Sequence, residues 1–256
     1  LSAAKFDQNY NSQYSYIAKV GYPMGMMYGF IYEGTYKYED FDKAGDTYTL
    51  KRNVPYFSSE SNTQPGMPKY ADLNDDGIID DNDRTMIGNG MPKHTGGFTN
   101  NFEYKGFDLS IFFQWSYGND VLNANRLFFE NSNKTRDLNQ YASYADRWTP
   151  ENPESNIPRA TDSGSNKVFS TRIIEDGSFL RLKTVSLGYT LPKQLTKKWK
   201  IDNARVFVAG QNLWTCTGYS GYDPEVSIRE GALTPGLDFS AYPRAYSISF
   251  GINLGF

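Results

Sequence analysis

The chain is short of most things a soluble enzyme is built from. Its one cysteine, Cys216, rules out an internal disulfide and leaves no basis for a cysteine zinc site. Its one histidine, His94, rules out paired-His metal sites and His dyads; between Pro92 and Gly96 it reads as a solvated residue at the start of a strand. No run approaches the 18 or so apolar residues of a membrane helix, so a helical span is excluded. The net charge is −3 with no basic block, which leaves no electrostatic footprint for nucleic acid. Lys197, Lys198 and Lys200 beside Trp199 are the densest basic cluster and read as a solvated turn. No nucleophile–base pair is suggested, so an enzyme is disfavoured. Gly88-Asn89-Gly90 opens no helix after a strand, and phosphate binding is unsupported. The first residues, Leu1-Ser2-Ala3-Ala4-Lys5, carry no charged segment followed by an apolar one, so an export signal is expected upstream.

What is abundant is aromatic. The 256 residues hold 20 Tyr and 17 Phe, 16% aromatic in all, against a total hydrophobic share of only 39%. Many rings with low mean hydropathy suit a β-barrel wall in lipid, where apolar outward residues alternate with polar inward ones and aromatic girdles mark both interfaces.

Period-two alternation supports this. Tyr246, Ile248, Phe250, Ile252, Leu254 and Phe256 share one parity, while Ser247, Ser249, Gly251, Asn253 and Gly255 hold the other. Phe250 and Ile252 are therefore expected to face lipid, with Ser249 and Asn253 inward. Phe98, Phe102 and Tyr104 share a parity, Lys105-Gly106 makes a tight turn, and Phe107, Leu109, Ile111, Phe113 and Trp115 share a parity after it, with Phe112 out of phase. Val185, Leu187, Tyr189 and Leu191 alternate before Pro192, but Leu180 and Leu182 lie in the other phase, as a bulge would produce. Residues 204–214 are β-rich without a clean face, and 14–20 is a further strand candidate.

Connections divide into short ones at 105–106 and 192–203 and long ones at 23–94, 117–178 and 216–243, as barrels divide periplasmic turns from extracellular loops. About six membrane-length strands are expected, whereas the smallest closed barrels have about eight. An open sheet edge cannot sit in hydrocarbon, so these strands are expected to pair with others not in this sequence. The expected fold is all-β: C-terminal strands of a large antiparallel transmembrane β-barrel, with long extracellular loops.

The ordered motifs resemble the C-terminal region of SusC/RagA-type TonB-dependent transporters over nearly the whole chain. They are Gly21-Tyr22-Pro23-Met24-Gly25, Lys69-Tyr70-Ala71-Asp72-Leu73-Asn74-Asp75-Asp76-Gly77, Tyr104-Lys105-Gly106-Phe107-Asp108, Arg147-Trp148-Thr149-Pro150, Ser178-Phe179-Leu180-Arg181-Leu182-Lys183, Gly210-Gln211-Asn212-Leu213 and Gly221-Tyr222-Asp223-Pro224-Glu225. The resemblance implies that residues 1–256 are part of an outer-membrane barrel of about 22 strands with a lumen plug. It also implies import of oligosaccharides or peptides, a SusD-like surface lipoprotein as partner, and energy from the TonB complex through a TonB box. Plug and TonB box are expected upstream.

One segment has ligand chemistry. From Asp72 to Asp83, oxygen side chains fall at loop positions 1, 3, 5, 9 and 12 as Asp72, Asn74, Asp76, Asp80 and Asp83; Gly77 stands at 6, and Ile78 at 7 can offer its carbonyl. That is the spacing of a Ca²⁺ loop, with Asp where a helical EF-hand places Glu. An acidic, glycine-kinked turn without metal is the other reading. Trp148 could stack on a sugar or pack within its own loop. Tyr219, Tyr222, Asp223 and Glu225 could line the extracellular mouth or order their own loop. Besides import, a passive porin or surface adhesin and a secreted calcium-dependent carbohydrate-binding β-domain remain open.

Overall fold

A computed structural model describes residues 2–5, 14–131, 139–161, 168–228 and 231–256. These divide into two compact units. One comprises 1–91, 120–175 and 227–241; the other comprises 92–119, 176–226 and 242–256.

The second unit is a wall. Five antiparallel strands, His94–Tyr104, Phe107–Tyr117, Phe179–Thr190, Asn203–Thr217 and Ser247–Gly255, are hydrogen-bonded in that order. Each has at least the length of a membrane-crossing strand, which takes about 9–11 residues. They are joined at one end by the short turns. Tyr104 pairs with Phe107, and both intervening residues have positive φ, 47° at Lys105 and 86° at Gly106. That conformation matches the natural twist of a hairpin and needs glycine at its second position. Residues 191–202 form the other short connection, as two brief helical turns over Lys193–Thr196 and Lys197–Trp199.

The register aligns the parities read from sequence into rows. Tyr104, Phe107, Tyr189, Val206 and Ile252 form one apolar row. Phe102, Leu109, Leu187, Val208 and Phe250 form the next, then Ile111, Val185, Gly210 and Ile248. Phe98, Phe113, Leu182 and Trp214 continue the same face. The opposite face is mostly polar, with a row of small residues, Asn101, Ser110, Ser186, Ala209 and Ser249, and with Phe112 and Phe207 as apolar exceptions. Phe250 and Ile252 are 81% and 68% exposed, far too open for a water-soluble core strand.

Two irregularities explain the broken phases. Between Phe112 and Phe113 the pairing jumps from Thr184 to Leu182, so Lys183 is the extra residue of a bulge. The extra residue returns Leu180 and Leu182 to the apolar face. In the next strand, Leu182 pairs with Trp214 and Thr184 with Gln211, and Asn212 adopts a left-handed φ of 51°. That second bulge, together with Phe207 on the inner face and Gly210 on the outer, is why 204–214 shows no clean alternation.

The first unit contains the long connections. Five strands of membrane length are present among the described residues; the sixth candidate is a shorter strand, Tyr14–Ala18, in a separate sheet with Ser2–Lys5, Met26–Gly29 and Thr85–Asn89. Its largest core cluster draws on the strand Tyr14–Ala18 and on all three long stretches: Tyr16; Met27; Leu122, Ala124, Leu127, Phe169 and Ile173; and Leu237. The Tyr16 hydroxyl donates to the Pro235 carbonyl at 2.9 Å, tying that strand to the third stretch. A second cluster packs Phe30, Tyr70, Ile79 and Val168. Burial raises the Tyr70 hydroxyl above its ordinary range, so that group stays neutral in the core. Among the described residues no helix is long and apolar enough to cross a membrane.

Candidate functional site

Asp72 to Asp83 is a tight acidic loop held by its own backbone. The Asp72 carboxylate accepts from the Gly77 N–H at 2.8 Å, Asn74 Oδ1 from the Asp76 N–H at 3.1 Å, and Asp76 Oδ1 from the Ile78 N–H at 2.8 Å. Asn74 Nδ2 donates to Asp76 Oδ2 at 2.9 Å, and Asp80 Oδ1 accepts from the Asn82 N–H at 2.7 Å. Gly77 has φ 82°, which a side chain would strain, so the kink needs glycine.

Asp83 closes the loop. It is fully buried, and its two oxygens accept from the Leu73 and Asp80 N–H groups, each at 2.8 Å. Replacing Asp83 by alanine orphans both donors and is expected to loosen this unit by about 1–3 kcal/mol. Faster amide exchange at 72–84 would register the change, and exchange at the wild-type rate would refute this role.

The oxygen donors fit a hard cation in kind and order. Asp72 Oδ1 is buried without a hydrogen-bond partner, an uncompensated acceptor of the sort an ion would satisfy. As they stand, though, no three or more His, Cys, Asp or Glu side chains among the described residues are grouped to hold an ion. Ile78 lies in the short strand Ile78–Ile79, paired in parallel with Tyr56–Phe57.

A second charged centre was not visible in the sequence. Arg181, inward-facing in the third wall strand and only 2% exposed, donates to Asp223 at 2.6 Å, to Glu225 at 3.2 Å and to Thr215 Oγ1 at 3.1 Å. Glu225 also meets Arg244 at 3.1 Å and Lys183 at 3.9 Å. Asp223 accepts further from the Glu225 and Arg244 N–H groups at 2.9 and 3.1 Å. Burial works against its ionisation, yet those amides and the guanidinium hold its carboxyl below the usual carboxylate value. Thus Ser178-Phe179-Leu180-Arg181 and Gly221-Tyr222-Asp223-Pro224-Glu225 form one salt-bridged unit. Asp223 serves loop order, while Tyr222 stays 88% exposed.

Further along the inner face, Arg205 pairs with Asp108, its Nε at 2.9 Å, lying across Gly188, where a Cβ would collide with the guanidinium. In the first unit Trp148 is buried over Gly66 and stacked by Arg159, so it packs within its loops. His94 begins its strand, accepting from Trp115 Nε1 at 3.1 Å and stacking on Tyr117.

Comparison with known proteins gives a consistent result. No family model matches the chain. A TonB-dependent receptor P3 of Formosa agariphila is 34% identical over 94% of the chain and 23% of its own length. A second receptor of that organism, P26, is 39% identical over 75% of the chain and 20% of its own length. The TonB-dependent receptor SusC of Bacteroides thetaiotaomicron is 27% identical over 77% of the chain and 18% of its length. Among solved structures, the RagAB peptide transporter superposes with a TM-score of 0.70 at 26% identity, over 94% of this chain and 24% of that one. The chain spans about a quarter or less of the length of the curated relatives it matches.

Proposed function

The chain belongs to the SusC/RagA type of TonB-dependent receptors, as part of their β-barrel, and from that premise we propose that the full protein is an active importer of the outer membrane. Its relatives are receptors and transporters, not enzymes. The observation that carries the reading is the wall: one face apolar from row to row, the other mostly polar, over strands long enough to cross a bilayer. Residues 1–256 supply barrel wall and connections, and the plug and TonB box lie elsewhere in the full protein. Asp108 and Arg205 line the inner face, facing plug or cargo, while Arg181 on the same face is buried beneath the 223–225 loop. The cargo is an oligosaccharide or a peptide, the latter being what the RagAB structure is described as carrying.

The partner is a SusD-like surface lipoprotein, met by the extracellular loops. The first unit supports this with Val20, Tyr22 and Met24, exposed within or beside the motif Gly21-Tyr22-Pro23-Met24-Gly25. Apolar and aromatic side chains of this kind favour an interface core. Co-purification of the full-length protein in mild detergent checks it. The two-component reading expects a lipoprotein in stoichiometric amount; its absence would put a porin or adhesin ahead.

The acidic loop takes Ca²⁺ through Asp72, Asn74, Asp76, the Ile78 carbonyl, Asp80 and Asp83. The ion supplies charge balance and stiffness, drawing side chains now spread over the loop onto one centre. Added calcium is then expected to slow proteolysis around 72–83, and Asp76→Ala to abolish that dependence while the barrel still assembles. Equal cleavage with and without calcium would leave an acidic turn and no more.

A further inference from the structure

The short connection at 191–202 is more than a solvated turn. Lys193, Lys197, Lys198 and Lys200 all project from it, exposed, within eight residues. Asp202 is the only acidic residue in the connection. None of the four lysines takes part in an ion pair among the described residues. Between them stand Leu195 and Trp199, 53% and 68% exposed.

This is not a loose segment. Thr196 is buried, its carbonyl accepts from the Ile201 N–H at 3.3 Å, and Leu195 N–H donates to Pro192 at 2.9 Å. At either end, Leu191 N–H reaches the Ala204 carbonyl and Asp202 N–H the Gly255 carbonyl, so the turn is strapped to two wall strands. Lys200 takes a left-handed φ of 57° that closes the second helical turn. The structure therefore presents four cations and two apolar side chains in a fixed arrangement.

Its position supplies the ligand. Leu191 and the outward pair Ala204–Leu254 border the turn, and the next apolar row of the wall is the aromatic one, Tyr104, Phe107 and Tyr189, followed by Val206 and Ile252. Aromatic girdles of this kind sit at headgroup level. The turn begins a few residues beyond Tyr189, which on the barrel reading brings it near headgroup level. An exposed tryptophan and leucine are favourable there, and lysines are attracted to an anionic leaflet over about a Debye length. Trp199, Leu195 and the four cations would otherwise face water.

We propose that the 191–202 turn is an anionic-phospholipid site of the leaflet that borders the short turns, with the phosphate held by Lys193, Lys197, Lys198 and Lys200 and Trp199 and Leu195 seated between headgroups. The site rests on the barrel reading above, but not on import or on a lipoprotein partner.

The test uses the full-length receptor in detergent, titrated with phosphatidylglycerol or phosphatidylcholine, with bound lipid counted by native mass spectrometry. The wild type is expected to prefer phosphatidylglycerol, with a preference that salt weakens. Changing Lys193, Lys197, Lys198 and Lys200 together to Gln is expected to weaken phosphatidylglycerol at least about tenfold and leave phosphatidylcholine unchanged. A Lys198→Gln, Lys200→Gln double variant, expected to fall between, serves if the fourfold one does not assemble. Equal binding by wild type and variants overturns the proposal, as does displacement of the lipid by inorganic phosphate, which would mark a plain anion site. Failure of the import reading would appear elsewhere, as absent TonB-dependent uptake with the lipid preference intact.

Discussion

Replacing Arg181 by alanine is expected to destabilise the barrel wall by about 3–5 kcal/mol, the cost of leaving buried charge without its partner. Asp223 is 4% exposed and would lose its closest cation, while Glu225 would keep only Arg244 and Lys183. Arg181→Lys should recover part of the loss, because an ammonium cannot reach Asp223, Glu225 and Thr215 at once as the planar guanidinium does. The damage should be local first, with amide exchange rising at 218–226 before the strands open. Acid should imitate it. The Asp223 carboxyl is depressed in the folded state, so its contribution is fully present above the ordinary aspartate value near 4 and is lost as pH falls through the lower folded value. If alanine at 181 leaves both exchange at 218–226 and unfolding temperature unchanged, the cluster is incidental.

Asp223 and Glu225 could be singled out from the chain beforehand, but their pairing with Arg181 could not, although the alternation of the wall could. Period two is a local property, so Ile248, Phe250 and Ile252 announced their face without any partner in view. Arg181 and Asp223 are separated by 42 residues, with a strand and two connections between them, and nothing periodic links the two. The bulge at Lys183 was legible as a broken phase, and the register explains it. In the strand from Asn203 to Thr217 the same break was hidden, because its bulge at Asn212 and Leu213 follows an alternation already blurred by Phe207 on the inner face and Gly210 on the outer.

The long connections were legible by length and composition but not by content. Their core is assembled from Tyr16, Met27, Leu122, Phe169, Ile173 and Leu237, single apolar residues scattered over one short strand and three stretches. Such a core has no period to find. The acidic loop is the opposite case, compact enough that every donor stood in order in the sequence. There the structure adds what order could not: Asp83 is committed to two backbone amides, while Asp72 keeps one buried oxygen without a partner.

Lysine at Val185 is expected to hinder assembly far more than lysine at Ile252, although both face outward. Val185 shares its row with Ile111, Gly210 and Ile248, in the middle of strands that run from Phe107 to Tyr117 and from Phe179 to Thr190. Ten steps from Phe107 to Tyr117 at about 3.3 Å, tilted by roughly 40°, rise about 25 Å, the height of a barrel's apolar band. Val185 then falls near the midplane, where a charge costs about 2–4 kcal/mol. Ile252 stands in the row of Tyr104, Phe107 and Tyr189, at the aromatic edge, where the same charge costs about 0–1 kcal/mol and a lysine can reach headgroups. Folding yield into lipid vesicles, read from heat-modifiable gel mobility, should therefore fall sharply for Val185→Lys and little for Ile252→Lys. Gly210→Val, which crowds Leu213 without adding charge, separates crowding from charge on the same row. Equal losses for the two lysine variants would mean the girdle has been placed wrongly. A larger loss at Ile252 would mean that the bilayer is centred on a different row.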